Sequence, residues 1–149
     1  MSVQRTLVLC KPDAVQRGLV GDVIARFERK GLKLAGLKMV VVDEALAKQH
    51  YEEHLEKPFY PELAEFITSS PVIAIAIEGR NAVEVVRGLM GTTNPQQAAP
   101  GTIRGDFGLS LTKNIVHGSD SVVSAERELG LFFTPSELYD YEVTMGAWR

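Results

Sequence analysis

Hydrophobic positions along this chain switch repeatedly between short continuous runs and helical stripes. The run Thr6-Leu7-Val8-Leu9-Cys10 reads as a short buried strand, stopped by Lys11-Pro12-Asp13. In residues 22–31, Val23, Ile24 and Phe27 share one face and Gly31 supplies a C-terminal stop, which predicts a helix. Residues 32–42, LKLAGLKMVVV, are rich in strand formers, only partly alternating, and long for one strand. Two helical pieces follow over about 44–55 and 61–69, the second opened by Pro61 at a favoured first-turn position. VIAIAI, 72–77, predicts a central strand, and residues 81–90 predict a helix capped by Asn81. A last strand near 115–117 precedes a helix that starts among Ser119, Asp120 and Ser121. That helix is carried by Val122, Ala125, Leu129, Phe132 and Phe133. The order β-α-β-(αα)-β-α-β predicts an α+β fold, a ferredoxin-like four-stranded antiparallel sheet (βαββαβ) with helices on one face.

One segment has no period. Residues 91–113, GTTNPQQAAPGTIRGDFGLSLTK, carry four glycines and two prolines. A structureless stretch this long is either functional or conceals an element, and function is the expectation. No repeat, low-complexity tract or linker divides the chain, so 1–149 is expected to form a single domain.

Composition narrows the class. With 149 residues, 45% hydrophobic and 23% charged, the chain can bury one proper core. A net charge of -3 argues against a general nucleic-acid or acidic-membrane binder, because no basic excess drives counterion release. The single cysteine, Cys10, rules out an intramolecular disulfide and fits a reducing compartment. The early apolar run LVLC is too short for a signal peptide or a membrane span, so a cytoplasmic protein is expected.

The sharpest chemical feature is NIVHGSDS, 114–121. It puts His117 where a strand meets a helix N-terminus, a junction whose free N–H groups and dipole suit an anion. A histidine there can be a phosphate ligand, a general base, a nucleophile or a plain polar residue. Neither G-x-x-x-x-G-K-[ST] nor G-x-G-x-x-G occurs, so nucleotide binding would need cations in place of a glycine-rich cradle. Lys11, Arg87 and Arg104 are candidates, with solvated surface charge as the plain alternative for each. His50 and His54 stand four apart, but YEE between them breaks the zinc-protease pattern, and two helix-surface histidines are expected. Asp120 and Glu128 are the acids nearest His117. Glu128 shares a helical stripe with Ser121 and Ser124, and seven residues of helix span roughly 10 Å. A carboxylate there can hold one imidazole nitrogen and leave the other free.

Taken together, TLVLCKPDAVQRGLVG at the N-terminus, TNP after a glycine, PGTIRGDF and NIVHGSDS resemble the nucleoside diphosphate kinases, from about Thr6 to Phe133. The resemblance implies that His117 takes the γ-phosphate of one nucleoside triphosphate and passes it to another nucleoside diphosphate. It makes Glu128 the carboxylate that orients the imidazole and Ser119 a helper bonded to that carboxylate. It places Lys11, Arg87, Thr93 and Arg104 on phosphate, and Asn114 with Lys11 on the sugar. Phe59 and Leu111 would flank the base, and Tyr51 would support the site. Thr92 and Leu111 depart from common residues of the family without removing a catalytic group. Mg²⁺ is the implied cofactor, held mainly through nucleotide phosphates, with no protein metal ligands. The implied partners are nucleoside di- and triphosphates and further copies of the chain, a hexamer being favoured and a tetramer the alternative. From other classes, a regulatory module that binds nucleotide without turnover and a scaffold with a structural His117 also remain. A carboxylate behind the histidine distinguishes the enzyme, since binding alone does not require it.

Overall fold

In the computed structural model, which describes residues 2–144 and 146–149, the sheet is four-stranded and antiparallel, ordered β2-β3-β1-β4. The strands are β1 (Val3–Cys10), β2 (Lys33–Val40), β3 (Val72–Arg80) and β4 (Val116–Gly118). The main helices are α1 (Pro12–Gln16), α2 (Val20–Lys30), α3 (Glu44–His50), α4 (Tyr60–Thr68), α5 (Ala82–Met90), α6 (Ile103–Phe107) and α7 (Val122–Phe132). This is the βαββαβ order expected of the pattern.

Helices cover both faces, not one. Val8, Cys10, Ile73, Ile75 and Ile77 pack with Val23 and Phe27 of α2 and Val86 and Met90 of α5. Leu7, Leu9, Ala74 and Ala76 pack on the opposite side with Ala47 of α3, Ile67 of α4 and Leu129 and Phe132 of α7. Two-sided burial is why LVLC and VIAIAI are unbroken apolar runs and do not alternate with polar residues. In β3 the large residues face α2 and α5, whereas two alanines face the other helices.

Several boundaries differ from the pattern. β2 ends at Val40, and its register shifts between Leu34 and Gly36, a bulge that absorbs part of the long apolar stretch. The expected helix over 44–55 stops at His50 and is followed by a 3-10 turn, Glu52–His54. Asn81 does not cap α5 with its side chain. It sits in the left-handed region at φ 56°, and its amide donates to Glu84 instead. Gly31 ends α2 as expected, with φ 102°.

The segment without a period is not structureless. It holds a 3-10 turn, Pro95–Gln97, and α6, whose Thr102 side chain accepts from the Gly105 N–H. Buried Ile103 and Pro95, a 2.7 Å Arg26–Asp106 ion pair and an Arg17 bond to the Phe107 carbonyl tie it to its own chain. Among the described residues, no helix is long and apolar enough to cross a membrane.

Candidate active site

His117 pairs across β4 with Leu9 of β1, so its side chain emerges on the Leu9 face, the side covered by α3 and α7. Its neighbours Val116 and Gly118 face α5. Gly118 lets Met90 pack closely, since a Cβ there would stand 2.5 Å from Met90 Sδ and push that side chain aside. Ser121 caps α7 by accepting from the Ser124 N–H, and Glu128 lies two turns into that helix. The result is a 2.6 Å hydrogen bond between His117 Nε2 and Glu128 Oε1, and the Ser119 hydroxyl donates to the same oxygen at 3.0 Å. An ionised carboxylate can only accept, so Nε2 carries the ring proton and Nδ1 keeps a free lone pair.

Below the histidine lies a turn that no sequence pattern foreshadowed. Val116 N–H donates to the Asn114 carbonyl at 2.8 Å across Ile115, whose φ is 75°. This is a γ-turn of the strained hand, with a β-branched residue at its centre, and it stores on the order of 1–3 kcal/mol. The surroundings hold it in place. The Asp13 carboxylate accepts from Ile115 N–H at 3.0 Å, and the Ile115 carbonyl accepts from Lys11 N–H at 2.9 Å.

Arg104 closes the same turn. Its Nε donates to the Asn114 carbonyl at 3.2 Å, Nη2 to Val116 at 2.7 Å and Nη1 to Gly91 at 3.0 Å. The residue is only 5% exposed, so the surface-charge alternative does not hold for it. Three of its five N–H donors hold carbonyls, so besides any contact with phosphate it ties the backbone together. Burial and the nearby Arg87 lower its pKa to about 10.

Lys11 is buried as well, and its ammonium donates to Asn114 Oδ1 at 2.8 Å. Burial, then Arg104, push its pKa down to about 8. The Asn114 amide in turn donates to the Thr93 carbonyl at 3.0 Å. Arg87, in the last turn of α5, donates to the Gly118 carbonyl at 3.1 Å.

These groups line a cavity of about 290 Å³, together with Tyr51, Asp120 and Arg127. Burial and Tyr60 raise the Tyr51 pKa to about 12, so it stays a neutral hydroxyl. Phe59 and Leu111 are not among the lining residues and stand 47% and 57% exposed. The Phe59 ring lies 5.5 Å from that of His54, which does line the cavity.

His50 contradicts the surface expectation. It ends α3, is 8% exposed and sits with its ring centroid 4.7 Å from that of His117. His54 belongs to the following 3-10 turn, so the two do not form a helical pair. The signal for His50 lay in its helix: it falls three residues after buried Ala47, on the face that meets the sheet.

The donor set bears on Mg²⁺. Among the described residues, the clustered metal-type ligands are His50, His117 and Glu128, a nitrogen-rich trio, whereas Mg²⁺ takes oxygens. Glu53 and Asp120 line the cavity without forming such a cluster. This fits an ion carried in on phosphate oxygens.

A family model described as nucleoside diphosphate kinase matches residues 4–138. The nucleoside diphosphate kinase of Gloeobacter violaceus is 54% identical over 98% of both chains. That of Pyrococcus horikoshii is 58% identical over 93% of this chain and 90% of its own. The halophilic nucleoside diphosphate kinase of Halobacterium salinarum, solved in complex with CDP, superposes with a TM-score of 0.97 at 52% identity, covering 99% of this chain and 98% of that one. The Borrelia burgdorferi enzyme, solved as a transition-state mimic with vanadate and ADP, gives a TM-score of 0.93 at 40% identity, covering 98% and 96%.

Proposed function

The chain belongs to the nucleoside diphosphate kinase family, and from that premise we propose that it passes the γ-phosphoryl group of a nucleoside triphosphate to a nucleoside diphosphate on Nδ1 of His117. The observation that carries this reading is the Glu128–His117 contact, which fixes the tautomer and leaves Nδ1 with a free lone pair. A module that only bound nucleotide would not need it.

In the first half-reaction the Nδ1 lone pair attacks the γ-phosphorus while the bond to the β–γ bridging oxygen breaks, and the diphosphate leaves. The ring, still carrying its proton on Nε2, becomes cationic, and Glu128, steadied by Ser119, stabilises that charge. A terminal oxygen of a second diphosphate then takes the phosphoryl group and returns the ring to neutrality. Lys11, Arg87, Arg104 and Thr93 contact phosphate, and Arg104 has two N–H donors left after its three carbonyls. Asn114 shares the sugar with Lys11, and Tyr51 supports the site. Mg²⁺ held on the phosphates supplies further neutralisation of the loose transition state. Phe59 and Leu111 grip the base from two sides. Stacking is open to any base, so selectivity is low and the activity suits maintenance of NTP and dNTP pools in the cytoplasm.

For assembly, the edge strand β2 exposes Leu37 and Met39, followed by Val41, an apolar edge that pairing with a second copy would cover. We take a β2-paired dimer as the building block, in a hexamer or alternatively a tetramer. Light scattering on the eluting protein reads the number of chains, and an active monomer would contradict the dimer.

Initial rates with ATP and GDP varied together test the reaction. Parallel double-reciprocal lines are expected, and His117→Ala should abolish transfer while still binding ADP. Intersecting lines, or substantial transfer by purified His117→Ala, would contradict the covalent route.

A further inference from the structure

His50 is a buried ring on the cavity wall that the reaction above does not use. Neither of its nitrogens has a hydrogen-bond partner. Three aromatic rings surround it at steep angles: Tyr51 at 4.7 Å and 60°, His117 at 4.7 Å and 81°, and Phe132 at 5.5 Å and 87°. A flat ring enclosed in this way is held in its plane, and it meets the His117 ring nearly at right angles. Burial, then His117, Lys11 and Arg127, push its pKa down to about 2, so it stands beside the nucleophile without charge.

Glu128 alone does not determine where Nδ1 points. The carboxylate holds Nε2, which lies nearer the Cβ–Cγ rotation axis of the imidazole than Nδ1 does. Rotation about χ2 therefore moves Nδ1 further than the bonded nitrogen, so a small give in one hydrogen bond turns the lone pair by more. That torsion is intrinsically broad for histidine. A reacting lone pair needs a fixed direction, and a second contact away from the axis provides it.

We propose that His50 is a positioning residue: its ring, packed nearly perpendicular to that of His117, fixes the nucleophile's χ2 so that Nδ1 faces the incoming phosphorus. The inference rests on the phosphohistidine reading above. It assigns the role to the ring's flat shape and not to its nitrogens, which have no partner to lose. A phenyl group keeps that shape, whereas a methyl or an isobutyl group does not.

The experiment is rapid-quench labelling of His117 by saturating γ-labelled ATP in the wild type, His50→Ala and His50→Phe, with ADP affinity measured in parallel. His50→Ala should slow labelling about ten- to a hundredfold, the scale of a misaimed reactant, with ADP affinity unchanged. His50→Phe should recover most of the rate. In NMR relaxation of the labelled ring, His50→Ala should make His117 mobile about χ2 while its proton stays on Nε2, a signature that a purely structural role would leave alone. Wild-type labelling by His50→Ala, a loss confined to ADP affinity, or a slow His50→Phe would each overturn the proposal. Should His50→Ala fail to fold, His50→Leu takes its place. It should be slow where His50→Phe is fast, and equal rates for the two would also overturn it. Absence of label on the wild type sinks the phosphohistidine reading, whereas equal label on wild type and His50→Ala sinks only the role of His50.

Discussion

On the floor of the cavity, Lys11, Arg104 and Asn114 are buried and knotted to one strained turn by backbone carbonyls and to each other by side chains. On the rim, where the proposed reading puts the base, Phe59 and Leu111 are half exposed and contribute apolar surface. The floor cannot shift one group without moving the rest, because Arg104, Lys11 and Asp13 all bond to residues 114–116. The rim is free to yield, and on the proposed reading it meets the base. Chemistry on a phosphorus requires fixed geometry, and grip on any of several bases requires tolerance, so one site uses both constructions.

Removing Arg104 should break the floor most completely. Arg104→Ala takes a donor from the Val116 and Gly91 carbonyls, each costing about 1–3 kcal/mol when left buried without one, while the Asn114 carbonyl keeps the Val116 N–H. Urea denaturation should therefore show a loss of about 2 kcal/mol or more together with loss of transfer. Arg104→Lys keeps the charge without the fork and should recover little of either. A variant as stable as wild type would mean that the carbonyl contacts are incidental.

Lys11 gives a milder and reversible break. Its pKa of about 8, below the usual lysine value of 10.5, leaves it losing its proton near pH 8 in the free protein. Nucleotide affinity should then fall as pH rises through that point. Calorimetry in buffers of different ionisation enthalpy should show proton uptake on binding above pH 8. Stability moves the opposite way: between about 8 and 10.5 the unfolded chain binds more protons, so the free protein gains stability as pH climbs through that window. Binding with no proton uptake at pH 9 would show that the buried ammonium is not titrating there.

The smallest effect belongs to the rim. Phe59→Ala should weaken nucleotide binding by about 1 kcal/mol, the low end for a stacked base, because the ring is already half exposed. The loss should appear in KM, with kcat nearly unchanged and purines and pyrimidines affected alike. A large fall in kcat would show that Phe59 contributes to the floor.

Legibility in the sequence follows the same division between pattern and context. The strands and their order were readable because apolar runs and turn residues are local signals. The covering of both faces was implicit in the unbroken VIAIAI run, but which helices lie on which side is a matter of tertiary packing. Helix α6, five residues long, is too short to show a period, although Thr102 three residues before Gly105 marks its cap. The Glu128 partnership with His117 could be read from helical stripe and chain length, since both lie on one continuous strand-turn-helix. His50 could not, because its meeting with His117 crosses from α3 to β4. The turn at Ile115 was the least legible feature, because an isoleucine is among the last residues a positive φ would suggest.

The most direct test of the proposed reaction is which nitrogen of His117 takes the phosphoryl group. Labelling the protein with γ-labelled ATP, then recording ³¹P and ¹⁵N spectra of the intact intermediate, separates the two phosphohistidine isomers. With Nε2 bonded to Glu128 at 2.6 Å, the phosphoryl group should be found on Nδ1 and should disappear when GDP is added. Phosphate on Nε2, or a label that GDP does not remove, would contradict the account.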